Sequence, residues 1–170
     1  IQLLGELLRT EMIDRGGGLA TDPGHGRIVR EGRVKAYVVE RAERSETGLD
    51  ILLTESDIEN LIRAKAAIYS GCSLLLRNVG LSFTDLDRVY IAGGFGQYVA
   101  VEQAIAIGLL PDIDPDRFTF LGNSSLAGAC LSLLSTDQRD ASLALARSMT
   151  YVELCTEPNY MDEYTGALFL

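Results

Sequence analysis

The chain has 170 residues, 47% hydrophobic and 23% charged, with 15 basic against 24 acidic side chains and a net charge of −9. That length suits one compact domain with a substantial core, and the acidic balance excludes a broad electrostatic grip on nucleic-acid phosphates. No run approaches the roughly 20 apolar residues that span a bilayer, and the amino terminus lacks the basic-then-apolar order of a signal peptide, which points to a soluble, cytoplasmic protein.

Residues 1–13 carry apolar side chains at 1, 4, 8 and 12 and again at 3, 7 and 13, a helical stripe that starts without a capping residue or a methionine. This reads as a helix entered partway, in a fragment of a longer protein or a chain whose earlier part was removed. Residues 14–26 hold Gly16-Gly17-Gly18 and Asp22-Pro23-Gly24, which is turn chemistry, so a loop is expected. His25, the only histidine, reads as a turn residue of that loop. Residues 33–40 and 49–53 then predict two strands of an antiparallel hairpin around the charged tip 41–48.

Thr54 stands as N-cap with Asp57 three residues on, and a long helix is expected over 55–78, interrupted at Gly71 and ended by Gly80. Ile58, Leu61, Ile62, Ala66, Ile68, Tyr69, Leu74 and Leu75 keep helical spacing. Lys65 lies in a small, apolar stretch of this helix and must either snorkel to water or reach a partner. Arg63 and Arg77 fall off the apolar face and read as solvated. Cys72, Cys130 and Cys155 form no CxxC pair and no zinc or iron–sulfur ligand set, so they read as buried thiols.

A strand over 88–92 runs directly into Gly93-Gly94-Phe95-Gly96, then a helix over 99–109 that Pro111 terminates. A second strand, 118–121, enters Gly122-Asn123-Ser124-Ser125, followed by helices over 126–134 and 136–149. The tail 151–170 is apolar enough to pack back as a short helix or strand. Two successive strand–glycine–helix units imply parallel strands with right-handed crossovers, which puts both glycine turns on one sheet edge. Ligands of open α/β sheets bind at that edge, where glycine removes the Cβ that would hold a flat ligand off the main chain. Asn123 or Ser124 serves equally well as a helix cap or as a partner for a ribose or base edge. Asp112, Asp114 and Asp116 lack calcium-loop spacing and read as a solvated turn, and neither GxxxxGK[ST] nor GxGxxG occurs.

Taken together, Tyr90-Ile91-Ala92-Gly93-Gly94-Phe95-Gly96, Ala104 to Pro111, Gly122-Asn123-Ser124-Ser125-Leu126-Ala127-Gly128-Ala129 and Leu61 to Ile68 resemble the actin-like ATPase domain of the reductive activators of corrinoid proteins. The resemblance implies an α/β, ribonuclease H-like fold, present here as its second lobe with an inserted β-hairpin and long helix. Its parts would be residues 1–53 (helix plus hairpin), 54–80 (long helix) and 81–170 (strand–helix units of the nucleotide lobe). It further implies an ATP-dependent activator that reduces an inactive Co(II) corrinoid protein to Co(I). The nucleoside would lie against Gly93, Gly94, Phe95 and Gly96, with Lys65 approaching from the helix and Asn123 and Ser124 on the far wall. ATP, with Mg in the intact protein, is the implied cofactor, and a [2Fe-2S] cluster would belong to an amino-terminal domain that these residues do not include. The implied partner is a corrinoid protein or a corrinoid-dependent methyltransferase, with a homodimer left open. The phosphate-binding loops are not present, so these residues alone are expected to be inactive. Two other readings stay open: a non-hydrolysing docking or dimerisation module, and a small-molecule kinase of the same superfamily.

Overall fold

The computed structural model describes residues 1–21, 24, 26–94 and 96–170, and the side chains of these except Glu31, Gln97 and Cys155. Helix α1 (Gln2–Arg9) is shorter than its apolar stripe, because Glu11 adopts a positive φ of 55° and turns the chain back. Met12 and Ile13 continue the apolar surface outside the helix, and Ile13 makes an isolated antiparallel bridge to Leu19. The 14–18 turn is held by Asp14, whose Oδ1 accepts from the amides of Gly16 at 2.8 Å and Gly18 at 2.9 Å. His25, Asp22 and Pro23 lie outside the described residues.

The expected hairpin is part of a three-stranded antiparallel meander, β1 (Ile28–Glu31), β2 (Val34–Glu40) and β3 (Ile51–Thr54), in the order β1-β2-β3. Strand β1 has no counterpart among the expected elements. Its four residues alternate too briefly to stand out, and Gly32, at a φ of 64°, supplies the tight turn into β2. Ala36 and Val38 of β2 face inward and are fully buried.

Helix α2 (Glu55–Asn78) is the longest element. Its start is a reciprocal capping box: Thr54 Oγ1 accepts from the Asp57 amide at 3.1 Å, and Asp57 Oδ2 accepts from the Thr54 amide at 2.9 Å. Its end is a Schellman turn, with Gly80 N–H donating to Arg77 O at 3.0 Å and Leu81 N–H to Leu76 O at 2.9 Å. Gly71 does not interrupt it. That glycine is buried inside the helix, where an added Cβ would come 3.4 Å from Leu154 Cδ1. The buried stripe runs Ile58, Ile62, Lys65, Ala66, Ser70, Gly71 and Leu74. Ile58 and Ile62 join Leu4, Leu7, Ile13, Leu19 and Ile107 in one core, and truncating either isoleucine to Ala would cost roughly 2–5 kcal/mol.

Strand β4 (Val89–Ala92) and strand β5 (Phe118–Gly122) pair in parallel, as the doubled unit requires. Between them α3 (Val101–Ala106) is shorter than expected and ends well before Pro111. The terminator is Gly108, at a φ of 70°, in a second Schellman turn: Gly108 N–H donates to Ile105 O and Leu109 N–H to Ala104 O, both at 2.8 Å. A proline further on was the more conspicuous signal, but the left-handed glycine acts first. Helix α3 packs on α1 at Gly5, where an added Cβ would fall 2.9 Å from Gln103 Cβ.

Helices α4 (Ser124–Leu134) and α5 (Thr136–Ser148) follow, with no buried residue in either. Helix α6 (Tyr160–Gly166), in the tail, returns onto α2, where Glu163 pairs with Arg77 and accepts from Ser73 Oγ at 3.3 Å. Arg77 therefore has a partner rather than only solvent, and Arg63 pairs with Glu59 at 2.5 Å. Cys72 and Cys130 are exposed free thiols rather than buried ones. One side of Cys72 lines an apolar cavity, and that burial pushes its thiol above the usual range. No helix among the described residues is long and apolar enough to cross a membrane.

Candidate functional site: two glycine turns on one sheet edge

Both strands of the parallel pair end in glycine, and the two ends are bonded to each other: Gly93 N–H donates to Gly122 O at 2.7 Å. The pairing slips by one residue at this point, since Ile91 faces Phe120 while Ala92 faces Gly122. Such a bulge bends the strand end and redirects the backbone beyond it. Gly93 has a φ of 113° and Gly122 one of 64°, conformations that residues with a Cβ seldom adopt. A Cβ built on Gly93, Gly94 or Gly122 meets no described atom within 4 Å. The edge is therefore bare main chain facing open space, the surface a flat ligand needs for close approach.

Gly96 plays a different part. It is buried, and an added Cβ would lie 3.1 Å from Ile91 Cγ2, so its missing side chain accommodates the protein's own strand. Phe95 lies outside the described residues. On the second turn, Asn123 is the N-cap of α4 and its Oδ1 accepts from Leu126 N–H at 3.1 Å, while Ser124 is half-buried in the first turn of the helix. Of the two alternatives left open for Asn123, capping is thus in place. Its amide nitrogen and the N–H groups of residues 124 and 125, which a helix leaves without internal acceptors, remain to face a ligand.

Lys65 is not joined to these turns. It is 2% exposed, and its ammonium donates to the carbonyl of Phe169. The same ammonium lies 3.0 Å from the position of a Cβ on Gly108, so the lysine fills the space that glycine vacates. Among the described residues no carboxylate pairs with it, and burial pushes its pKa below the ordinary lysine value. It opens onto a cavity of about 260 Å³ bounded by Tyr69, Gly108, Asp112, Ala167 and Phe169.

The structure thus brings together Gly93, Gly94, Gly122, Asn123 and Ser124, while Lys65 is bonded to Phe169. Gly122 is as open as Gly93, on the turn that the sequence places on this edge although not among the residues set against the nucleoside. The signal was present in the repeat itself, since the second strand also ends in glycine immediately before a helix. Among the described residues no cluster of His, Cys, Asp and Glu is placed to hold a metal ion. Asp112, Asp114 and Asp116 are exposed, and Asp114 Oδ1 accepts from the Asp116 amide at 3.0 Å within a turn.

The chain is similar to known proteins over most of its length. A corrinoid activation enzyme, RamQ, of Eubacterium limosum is 37% identical over 151 residues, covering 88% of this chain and 26% of that protein. A [Co(II) methylated amine-specific corrinoid protein] reductase of Methanosarcina barkeri is 32% identical over 119 residues, covering 69% of this chain and 22% of its own. The solved structure of a reductive activator for corrinoid,iron-sulfur protein superposes with a TM-score of 0.92 at 46% identity, over 99% of this chain and 27% of that one. The chain therefore spans about a quarter of the length of these relatives. The family described as the C-terminal domain of RACo, the ASKHA domain, matches residues 1–170 throughout, and the chain belongs to that family.

Proposed function

We propose that this chain is the nucleoside-binding part of an ATP-dependent reductive activator, which returns a corrinoid protein from Co(II) to Co(I). The observation that carries the reading is the bonded pair of bare strand ends, Gly93 and Gly122, open to solvent beside the α4 N-terminus. In this reading the adenosine lies against Gly93 and Gly94, flanked by Phe95 and Gly96. Asn123 and Ser124 form the opposite wall, and Lys65 approaches from α2. The relatives' names support the choice of a corrinoid protein as the partner, and a corrinoid-dependent methyltransferase is the alternative partner in this reading.

Reduction of Co(II) to Co(I) takes one electron, which in this reading comes from a [2Fe-2S] centre outside these 170 residues. When bound, ATP supplies the free energy of phosphate release. The glycine turns suit the nucleoside of the nucleotide. This part of the protein binds and orients, and its differential affinity for two arrangements of the longer chain converts nucleotide turnover into a conformational shift.

The test is spectrophotometric. The longer protein, given a low-potential reductant and a Co(II) corrinoid protein, should produce the Co(I) spectrum with ATP and fail to do so without it. Equal Co(I) formation in both samples would remove ATP from the reading. Phosphorylation of a small molecule without cobalt reduction would favour the kinase alternative.

A further inference from the structure

Lys65 presents a conflict between where the residue sits and what the nucleotide reading asks of it. A buried ammonium with one neutral acceptor is an expensive arrangement, because removing the charge from water is repaid only in part by a single carbonyl. That carbonyl belongs to Phe169, 104 residues later, in a segment fastened at several points. Glu163 pairs with Arg77 on α2, Leu168 and Leu170 pack on the core, and the Leu170 amide donates to Arg15 O at 2.9 Å. Phe169, between the two leucine anchors, turns its side chain outward and its carbonyl toward Lys65. The cavity beside the ammonium leaves it room to move once that carbonyl withdraws.

We propose that residues 160–170 are an autoinhibitory strap, which holds the Lys65 ammonium on the Phe169 carbonyl until nucleotide binding releases it. The inference rests on the reading above that Lys65 approaches the nucleoside from α2. Lys65 cannot be buried on Phe169 and contact a nucleotide at once, so the two states compete. A strap closed in about nine of ten molecules lowers the apparent nucleotide affinity about tenfold. By linkage, nucleotide must open the strap to the same extent that the strap weakens nucleotide binding.

The experiment uses the longer protein and the non-hydrolysable analogue adenylyl imidodiphosphate. Leu168→Ser with Leu170→Ser removes the apolar anchors without touching Lys65. Acylation of Lys65, read by mass spectrometry against Lys35 as the other lysine in these residues, should rise in that variant. Analogue affinity by calorimetry should tighten about tenfold, and adding Lys65→Met should cancel the gain. In the unaltered protein, saturating analogue should speed amide exchange across 160–170, a readout that does not depend on how the variant folds. Unchanged Lys65 acylation would overturn the strap, as would increased acylation with unchanged affinity, which is the signature of a structural tether. So would exchange over 160–170 that ignores the analogue. Gly94→Val separates the two ideas. If the unaltered protein binds the analogue and Gly94→Val does not, the nucleoside reading stands while any of those results sinks the strap alone. If Gly94→Val binds normally, or nothing binds, both fall.

Discussion

Glycines carry opposite meanings in this chain, and the difference is readable only at the level of single Cβ positions. Gly94 has no described atom within 4 Å of an added Cβ and is not held in the left-handed region, so valine is accommodated by the protein itself. Gly94→Val should therefore keep the unfolding midpoint within a few degrees while weakening ATP binding at least about tenfold, through a clash worth about 1.5–3 kcal/mol. Calorimetry and thermal melts on the same samples check both halves. Gly17 is the reverse case. It has a φ of 86°, and a Cβ there would fall 2.6 Å from Ile62 Cδ1 and 2.9 Å from Ile58 Cγ2. Gly17→Ala should cost about 2 kcal/mol or more from crowding and backbone strain combined. Urea unfolding measures it, and a neutral result would mean that the 14–18 turn is not seated on α2. In the sequence, Gly16-Gly17-Gly18 reads only as flexible turn chemistry. That a triple glycine lies against the core depends on contacts with residues some 40 positions away, which local patterning does not carry.

Elements with both ends encoded locally were legible, and those that depend on tertiary partners were not. The start and end of α2 follow from Thr54, Asp57 and Gly80, because caps and Schellman turns are made within a few residues. Thr54→Ala should destabilise the protein by about 1 kcal/mol at neutral pH, as loss of an N-cap does. The hydrogen bonds from Thr54 hold the Asp57 carboxyl below its usual pKa. A depressed carboxylate stabilises the fold above its unfolded pKa, and that contribution disappears as the pH falls through the folded value. The difference between wild type and Asp57→Asn in urea should accordingly be present at neutral pH and shrink on acidification below the ordinary carboxylate range. A constant difference would show that the charge is irrelevant to the cap. By contrast, β1 exists because β2 offers it an edge, and the side chain lying beside Gly108 is Lys65 of α2. Neither partner is visible from the segment alone. At the site, the pairing of the two glycine turns followed from the repeated strand–glycine–helix unit, whereas the burial of Lys65 followed from a tail that pattern alone left as helix or strand.

Across the whole molecule the apolar surface is unevenly covered. Helices α1 and α2 and the meander share a closed core, while Leu133 and Leu134 at the end of α4 are 78% and 86% exposed and α5 buries nothing. Tyr90 and Leu121 of the parallel pair are also open, an arrangement at odds with the covered faces that parallel sheets usually have. Residues 1–170 produced alone should therefore enhance the fluorescence of an apolar dye such as anilinonaphthalene sulfonate. Leu133→Lys with Leu134→Lys should lower that signal, and an unchanged signal would place the sticky surface elsewhere.

The proposed function requires a nucleoside seated between the turn after Ala92 and the turn before Leu126. Photolabelling the longer protein with an azido-adenine analogue of ATP, then mapping the modified peptides, examines that seat directly. Label on peptides containing residues 93–98 and 122–126, competed away by unlabelled ATP, is the predicted result. Competable label confined to other segments would contradict it.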